Sequence, residues 1–237
     1  MNSQNDRTIL ISGSSRGLGH AIAMHYASTG CKVYGFSRGK CDISQEHYTH
    51  ITCDITSETN VRAALARINK EAGGFDILIN NAGVKFDNLV MFSSIDQAEE
   101  TMRTNFIGTY LLSREAMKSM KRRRFGRIIN ISSMAVPLGS LGCGIYSASK
   151  AAVDQFSYSL SRELGQDDIT INTIGITTYE DSEMVKSIDP NTLKETQNQL
   201  TKPAPLSIDE ILHVVNFLIS PFASGITNQT IYFGGIR

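Results

Sequence analysis

The sequence predicts an α/β protein: a single doubly wound parallel sheet of about seven strands, with helices on both faces. Three observations predict it. Short runs rich in Ile and Val alternate along the chain with longer stretches of helical period. Strands separated by helix-length segments need crossover connections, which make the sheet parallel and cover both of its faces. No repeat, linker or low-complexity tract divides the 237 residues, so residues 1–237 read as one domain.

The predicted strands are Thr8–Ser12, Lys32–Phe36, His50–Cys53, Asp76–Asn80, Arg127–Ile131, Thr170–Ile174 and Thr230–Phe233. Helical stretches fall near 17–29, 57–72, 96–123, 146–165 and 207–219. The gap 39–49 is too short for a crossover helix and reads as a loop or a single turn. Residues 175–207 carry no strand pattern, and a long segment of that kind reads as a lid or substrate loop. In this architecture a ligand is expected at the carboxyl ends of the strands, where the strand order reverses.

Composition excludes several classes. Apolar content is 41%, and 23 basic residues balance 23 acidic ones, so neither a disordered chain nor a broad nucleic-acid binder is expected. No apolar stretch approaches a membrane span. Met1–Arg7 is polar and lacks signal-peptide architecture, which points to the cytoplasm. Cys31, Cys41, Cys53 and Cys143 show no metal spacing and read as reduced thiols, so no metal site is expected.

After the first strand the chain reads Ser12-Gly13-Ser14-Ser15-Arg16-Gly17-Leu18-Gly19, a GxxxGxG spacing. The GxGxxG fingerprint fails here, because Ile22 takes the place of its third glycine. Glycines still let the backbone approach a pyrophosphate at the start of a helix, whose free N–H groups and dipole favour anions. A tight strand–helix turn with no ligand would use the same residues. The second strand ends Phe36-Ser37-Arg38, with no carboxylate to hold the adenosine ribose of NAD. Arg38, with Arg16 from the glycine turn, suits the extra phosphate of NADP through planar, charge-assisted hydrogen bonds. Two solvated surface arginines are the alternative.

Tyr146-Ser147-Ala148-Ser149-Lys150 puts a phenol and an ammonium four residues apart on one helical face. Reducing a ketone needs a hydride on carbon and a proton on oxygen. A phenol titrates near 10, and bringing it to neutral pH takes about 4 kcal/mol of differential stabilisation of the phenolate. A nearby ammonium and an oxidised nicotinamide would supply it. Ser133, in the loop after the fifth strand, is placed to hydrogen-bond the carbonyl oxygen, and Ser132 competes for that role.

These motifs carry a resemblance. Ser12–Gly19, Cys53-Asp54-Ile55, Asn80-Asn81-Ala82-Gly83, Asn105, Ile131-Ser132-Ser133 and Tyr146–Lys150 occur in the order and spacing of the classical short-chain dehydrogenases/reductases, and the likeness covers nearly the whole chain. It implies a Rossmann-type fold, with Tyr146 as general acid in reduction and Lys150 on the nicotinamide ribose. It further implies that Ser133 orients the carbonyl and that Asn105 holds a water of a proton relay. The cofactor residues it implies are Gly13, Ser15, Arg16, Gly17, Leu18, Gly19, Ser37, Arg38, Asp54, Ile55, Asn81, Ala82, Gly83, Tyr146, Lys150 and Tyr179, with Asn80 structural. Dimers or tetramers through the two long helices are implied as well.

Within the family the chain is most similar to 3-oxoacyl-[acyl-carrier-protein] reductases, on residues 80–91 and 123–133. That implies NADPH-dependent reduction of a 3-oxoacyl thioester in fatty acid or polyketide-type biosynthesis. It also implies a docking surface for an acidic carrier protein, for which Lys121, Arg122, Arg123 and Arg124 are candidates. Cations at a helix C-terminus serve the helix dipole equally well. Two departures stand out. Ile176-Thr177 replaces the family's Pro-Gly, which puts Tyr179 and Ser182 at the expected nicotinamide contacts and removes a fixed φ. The short 39–49 segment resembles dehydrogenases of small cyclic alcohols. A dehydrogenase of a small alcohol, sugar or cyclic diol is therefore the second reading, and a non-catalytic dinucleotide-binding regulator the third. Cys143 reads either as a pocket-lining residue or as a packing group.

Overall fold

The computed structural model describes residues 7–180 and 190–236. Residues 1–6 and Ser182, on which two of the expectations above fall, lie outside them.

β1 (Thr8–Ser12) is buried over its whole length, as a strand covered on both faces must be. It sends Ile9 and Ile11 into one apolar layer and Leu10 into the other. Around it stand β2 (Lys32–Ser37), β3 (Tyr48–Thr52), β4 (Ile77–Asn80), β5 (Phe125–Ser133), β6 (Asp168–Ile176) and β7 (Thr230–Tyr232). Their order is β3-β2-β1-β4-β5-β6-β7, all parallel, so the chain winds outward from β1 one way and then the other. The order reverses between β1 and β4, which opens a crevice at their carboxyl ends.

α1 (Gly17–Ser28) and α8 (Ile208–Ile219) cover one face with Ile22, Tyr26, Ile211 and Leu218. α2 (Glu58–Ala72), α4 (Gly108–Arg123) and α6 (Gly144–Glu163) cover the other with Val61, Leu112, Met120 and Leu160, and the single-turn α5 (Ala135–Leu138) follows β5. Truncating any of these buried aliphatics to Ala would cost about 2–5 kcal/mol. Ser57 caps α2, and Ser207 with Glu210 forms a full capping box on α8; each serine cap is worth about 1 kcal/mol.

The structure differs from the sequence reading in four places. β5 and β6 run past their apolar centres and pair from Phe125↔Asp168 to Ser133↔Ile176, because the ladder also takes in Gly126, Ser132, Asp168 and Gly175, which periodicity does not mark as strand. The predicted helix 96–123 is α3 (Ile95–Met102), a π-helical turn (Arg103–Ile107) and α4 in succession. The predicted loop 175–207 begins inside β6 and contains α7 (Pro190–Asn198). Between β2 and β3 the described chain is the predicted loop, and β3 starts two residues earlier than expected.

The backbone after β6 holds its course without Pro-Gly. Ile176 stays in the ladder and its carbonyl accepts from Met134 N at 2.9 Å. Tyr179 forms a parallel bridge with Leu206, and both side chains enter the α1/α8 layer.

Candidate active site

The glycine turn joins β1 to α1 with Gly13 (φ 72°) and Gly17 (φ 57°) in the left-handed region, where a side chain would be strained. Gly13 N donates to Phe36 O at 2.7 Å. A Cβ on Gly19 would collide with Gly13 O and with the Asn81 amide, so the helix starts pressed against the turn. Arg16, the N-cap, has extended backbone and makes no side-chain cap, and no acidic residue occupies the first turn of α1. No side-chain cap covers the opening N–H groups of this helix, an arrangement in which helix N-termini take anions. Ser15 and Leu18 are partly buried beside them, while Arg16 is exposed.

Asn81 stitches this turn to β4: its Nδ2 donates to Ser12 O and Gly13 O, both at 3.1 Å. Ser12 Oγ accepts from Asn81 N and Ala82 N at 3.1 and 3.2 Å. Asn80 is buried and bonded to Ser113 and Asn130, in accord with a structural role. At the end of β2, Ser37 Oγ donates to Gly39 O at 2.9 Å, and the Arg38 side chain is 66% exposed, with Glu100 4.0 Å away. Asp54 Oδ1 accepts from Thr56 N and Oγ1, which turns the chain there and leaves Oδ2 for other contacts. Ile55 does not face the crevice with its side chain; it packs in the core against Gly108, where a Cβ would lie 2.5 Å from Ile55 Cδ1. The Tyr179 ring is likewise core, so only the backbone of that residue is available to a cofactor.

Ser133, Tyr146, Lys150, Asn105 and Gly83 converge at the carboxyl ends of β4 and β5. Lys150 is 5% exposed, donates from Nζ to Ile131 O at 2.7 Å, and lies 6.0 Å from the centre of the Tyr146 ring. A Cβ on Gly83 would sit 3.6 Å from that Nζ and 3.2 Å from Asn105 Oδ1, so residue 83 must be small. Ser133 acts on the Tyr146 phenol as a hydrogen-bond partner that favours the phenolate. Burial outweighs it and pushes the phenol up to about 12, while burial pulls Lys150 down to about 8. The expected lowering of the phenol is thus not present in the ligand-free chain.

Ser132, the competitor of Ser133, points the other way, under α6, as alternation along β5 requires. Asn105 is tied to neighbouring segments by its side chain, an arrangement compatible with the relay role implied for it. Its Nδ2 donates to Val84 O and Ser149 Oγ, both at 2.9 Å, and its Oδ1 accepts from Val84 N at 2.8 Å. Both amide donors are used, so on the side chain a relay water would find only the remaining Oδ1 lone pair, and otherwise the backbone carbonyl.

Sequence reasoning missed Lys85. Its Nζ lies 5.9 Å from the Tyr146 ring centre, in an ion pair with Asp87, and Cys143 Sγ donates to Asp87 Oδ1 at 3.5 Å. Cys143 is buried, and burial raises its thiol. It also missed Tyr48, whose hydroxyl meets Ser14 Oγ at 2.9 Å behind the glycine turn. Neither lies in a motif; only the pairing of β3 with β2 brings Tyr48 to the turn.

The candidate docking cluster is corrected by topology. Lys121–Arg124 ends α4 and precedes β5, whereas Ser133 ends β5, about 26 Å further along a strand of this length. Lys121 donates to Glu163 O, Arg123 pairs with Asp76 at 2.8 Å, and Arg124 caps the helix at φ 55°. The cluster does not border this chain's own site. Among the described residues no His, Cys, Asp or Glu group could hold a metal, and no helix is long and apolar enough to cross a membrane.

A parallel sheet with an anion-binding glycine turn and a Ser–Tyr–Lys cluster beyond its strand ends defines a dinucleotide-dependent oxidoreductase class. Residues 7–193 match the short chain dehydrogenase family, and the chain belongs to it. It is 32% identical to the 3-oxoacyl-[acyl-carrier-protein] reductase FabG of Vibrio cholerae, over 97% of this chain and 96% of that protein. The FabG proteins of Escherichia coli and Aquifex aeolicus are each 31% identical, over 95% of both chains.

Proposed function

We propose that the protein is an NADPH-dependent reductase of a 3-oxoacyl thioester carried on acyl carrier protein, giving the 3-hydroxyacyl product. The convergence of Ser133, Tyr146 and Lys150 beyond the crevice where β1 and β4 part carries this reading. The relatives' names support the substrate class and favour neither a small-alcohol dehydrogenase nor a regulator. The residues fit the cofactor: close-packed glycines and an uncapped α1 suit a pyrophosphate, and Ser37 and Arg38, with Arg16, suit a 2′-phosphate.

When bound, the nicotinamide supplies the hydride. Ser133 holds the ketone oxygen, and Tyr146 gives it a proton from the phenol hydroxyl. Lys150 holds the ribose and stabilises the phenolate left behind, and the resulting charge separation is smaller for being made beside an ammonium. Asp54, Ile55, Asn81, Ala82, Gly83 and the Tyr179 backbone line the cofactor's path. If Lys121, Arg122 and Arg124 greet a carrier protein, they serve the site of a neighbouring copy in a dimer or tetramer, since their own is too distant. The enzyme works in the cytoplasm.

The test is NADPH oxidation with acetoacetyl groups on carrier protein and on coenzyme A, with NADH and Tyr146→Phe alongside. Turnover with NADPH that is faster on the carrier and falls about 10²–10⁴-fold in Tyr146→Phe is expected. Full activity of Tyr146→Phe would sink the mechanism, and equal rates on both carriers the docking.

A further inference from the structure

α6 continues its active-site face one turn beyond Lys150 to Asp154, four residues on. Asp154 Oδ2 accepts a hydrogen bond from Tyr232 of β7 at 2.8 Å. The Tyr232 ring reaches there by lying across Gly175 of β6, where any Cβ would collide with it. Asp154 Oδ1 is buried and, among the described residues, meets no partner at hydrogen-bond geometry; the same holds for Ser132 Oγ. Burial raises the Asp154 carboxyl, while the bond from Tyr232, the Ser132 hydroxyl and the Lys150 charge act in favour of its charged form. A carboxylate with one clamped and one unmatched oxygen beneath a buried ammonium is costly unless the two charges serve each other.

We propose that Asp154 is a positioning residue: held by Tyr232, its carboxylate keeps the buried Lys150 ammonium charged and in place beneath the active site. The inference rests on the reading of Lys150 as part of the active site. Around Lys150, α6 brings Tyr146 and Asp154, β7 brings Tyr232, the segment after β4 brings Lys85 and Asp87, and Cys143 precedes α6. β5 presents the Ile131 carbonyl and Ser132, and the π-turn presents Asn105. Of the charged groups, Asp154 acts on Lys150 and opposes the effect of its burial.

Removing that carboxylate lets Lys150 lose its proton at lower pH. Tyr146 then loses a cation that favours its phenolate. The alkaline limb of the rate profile moves down, and the phenol titrates higher.

The experiment compares wild type with Asp154→Asn, Asp154→Glu and Tyr232→Phe. It measures kcat for acetoacetyl-coenzyme A reduction against pH, and ultraviolet titration of Tyr146 by difference from Tyr146→Phe. Tyr232→Phe keeps the ring that fills the Gly175 notch, so it remains informative if Asp154→Asn does not fold. Expected is a downward shift of the alkaline limb by about one unit in Asp154→Asn, a tenfold loss above it. A smaller shift is expected in Tyr232→Phe and recovery in Asp154→Glu, with the Tyr146 titration moving upward. Unchanged profiles and an unchanged Tyr146 titration in the folded variants would overturn the inference. Retained activity in Tyr146→Phe and Lys150→Ala would instead overturn the proposed function.

Discussion

Lys150 holds its ammonium 6.0 Å from the centre of the Tyr146 ring, and burial drives each group toward its neutral form. This arrangement stores a destabilising term. A lysine pulled down to about 8 binds its proton less tightly in the native chain than in the unfolded one. The unfolded state therefore holds more protons between about pH 8 and the ordinary lysine range, and stability rises with pH through that window. Below about 8 the penalty is fully present. Lys150→Met should remove about 3 kcal/mol of it and lose about 1 kcal/mol with the bond to Ile131 O, a net gain of about 1–2 kcal/mol at pH 7. Urea midpoints at pH 7 and 10 check this: the gain should shrink at the higher pH, and a variant less stable than wild type at pH 7 refutes it. Reductase activity should disappear in the same variant.

Ser37 and Arg38 at the end of β2 are the residues proposed to set cofactor choice. Arg38 has a 66% exposed side chain, and Glu100 at 4.0 Å holds it weakly, so it is available to a phosphate. Arg38→Asp should weaken NADPH binding by about 10–100-fold, as loss of a charge-assisted contact of about 1.5–3 kcal/mol implies, and should improve NADH binding. Fluorescence titration with both cofactors decides it. Equal losses for both would place Arg38 outside the phosphate site. The wild-type preference should also fall with added salt.

Asn105 straps two segments together. Its amide ties Val84 of the post-β4 segment to Ser149 of α6 through three hydrogen bonds of 2.8–2.9 Å, in a fully buried position inside the π-turn. Asn105→Ala strands the Val84 backbone groups, and the expected cost is about 2–4 kcal/mol. Chemical denaturation reads the cost. A loss of activity with no loss of stability would instead favour the relay role.

Much of this architecture was legible because parallel strands covered on both faces are short and apolar, and because the glycine turn and the Tyr146–Lys150 pair are local in sequence. Gly13, Gly17 and Gly19 announce their turn through backbone freedom, which composition records directly. What stayed hidden depends on non-local pairing. Asp154 meets Tyr232 across 78 positions of chain, and Lys85 reaches Tyr146 across a turn that no periodicity marks. The Lys121–Arg124 cluster was placed by its charge, whereas its location follows from strand direction, which charge does not encode. Motif position marks Ile55 and Tyr179 for the cofactor, while their side chains pack in the core. Burial claims both, because each fills a gap beside a residue that the motif does not contain.

Gly35 in β2 gives the sharpest test of how the sheet supports the glycine turn. A Cβ at this position would collide with the hydroxyl of Tyr48 and with Ser14 Oγ, and would lie 2.7 Å from Tyr48 Cε2. Those hydroxyls are bonded to each other at 2.9 Å, and Tyr48 also reaches His50 Nδ1 at 3.2 Å. Gly35→Ala must therefore push Ser14 or Tyr48 aside, and overpacking of this kind costs about 1–3 kcal/mol. Displacing Ser14 moves the turn that would hold the pyrophosphate, so NADPH affinity should fall along with stability. Tyr48→Leu clears the space, and the double variant should recover most of the loss, with a coupling of about 1–2 kcal/mol. Gly39→Ala is the control, since a Cβ there meets nothing within 4 Å, and it should stay within about 0.5 kcal/mol of wild type. Additive effects of Gly35→Ala and Tyr48→Leu in urea denaturation would mean that Tyr48 does not press on β2, and that the turn owes its position to Asn81 instead.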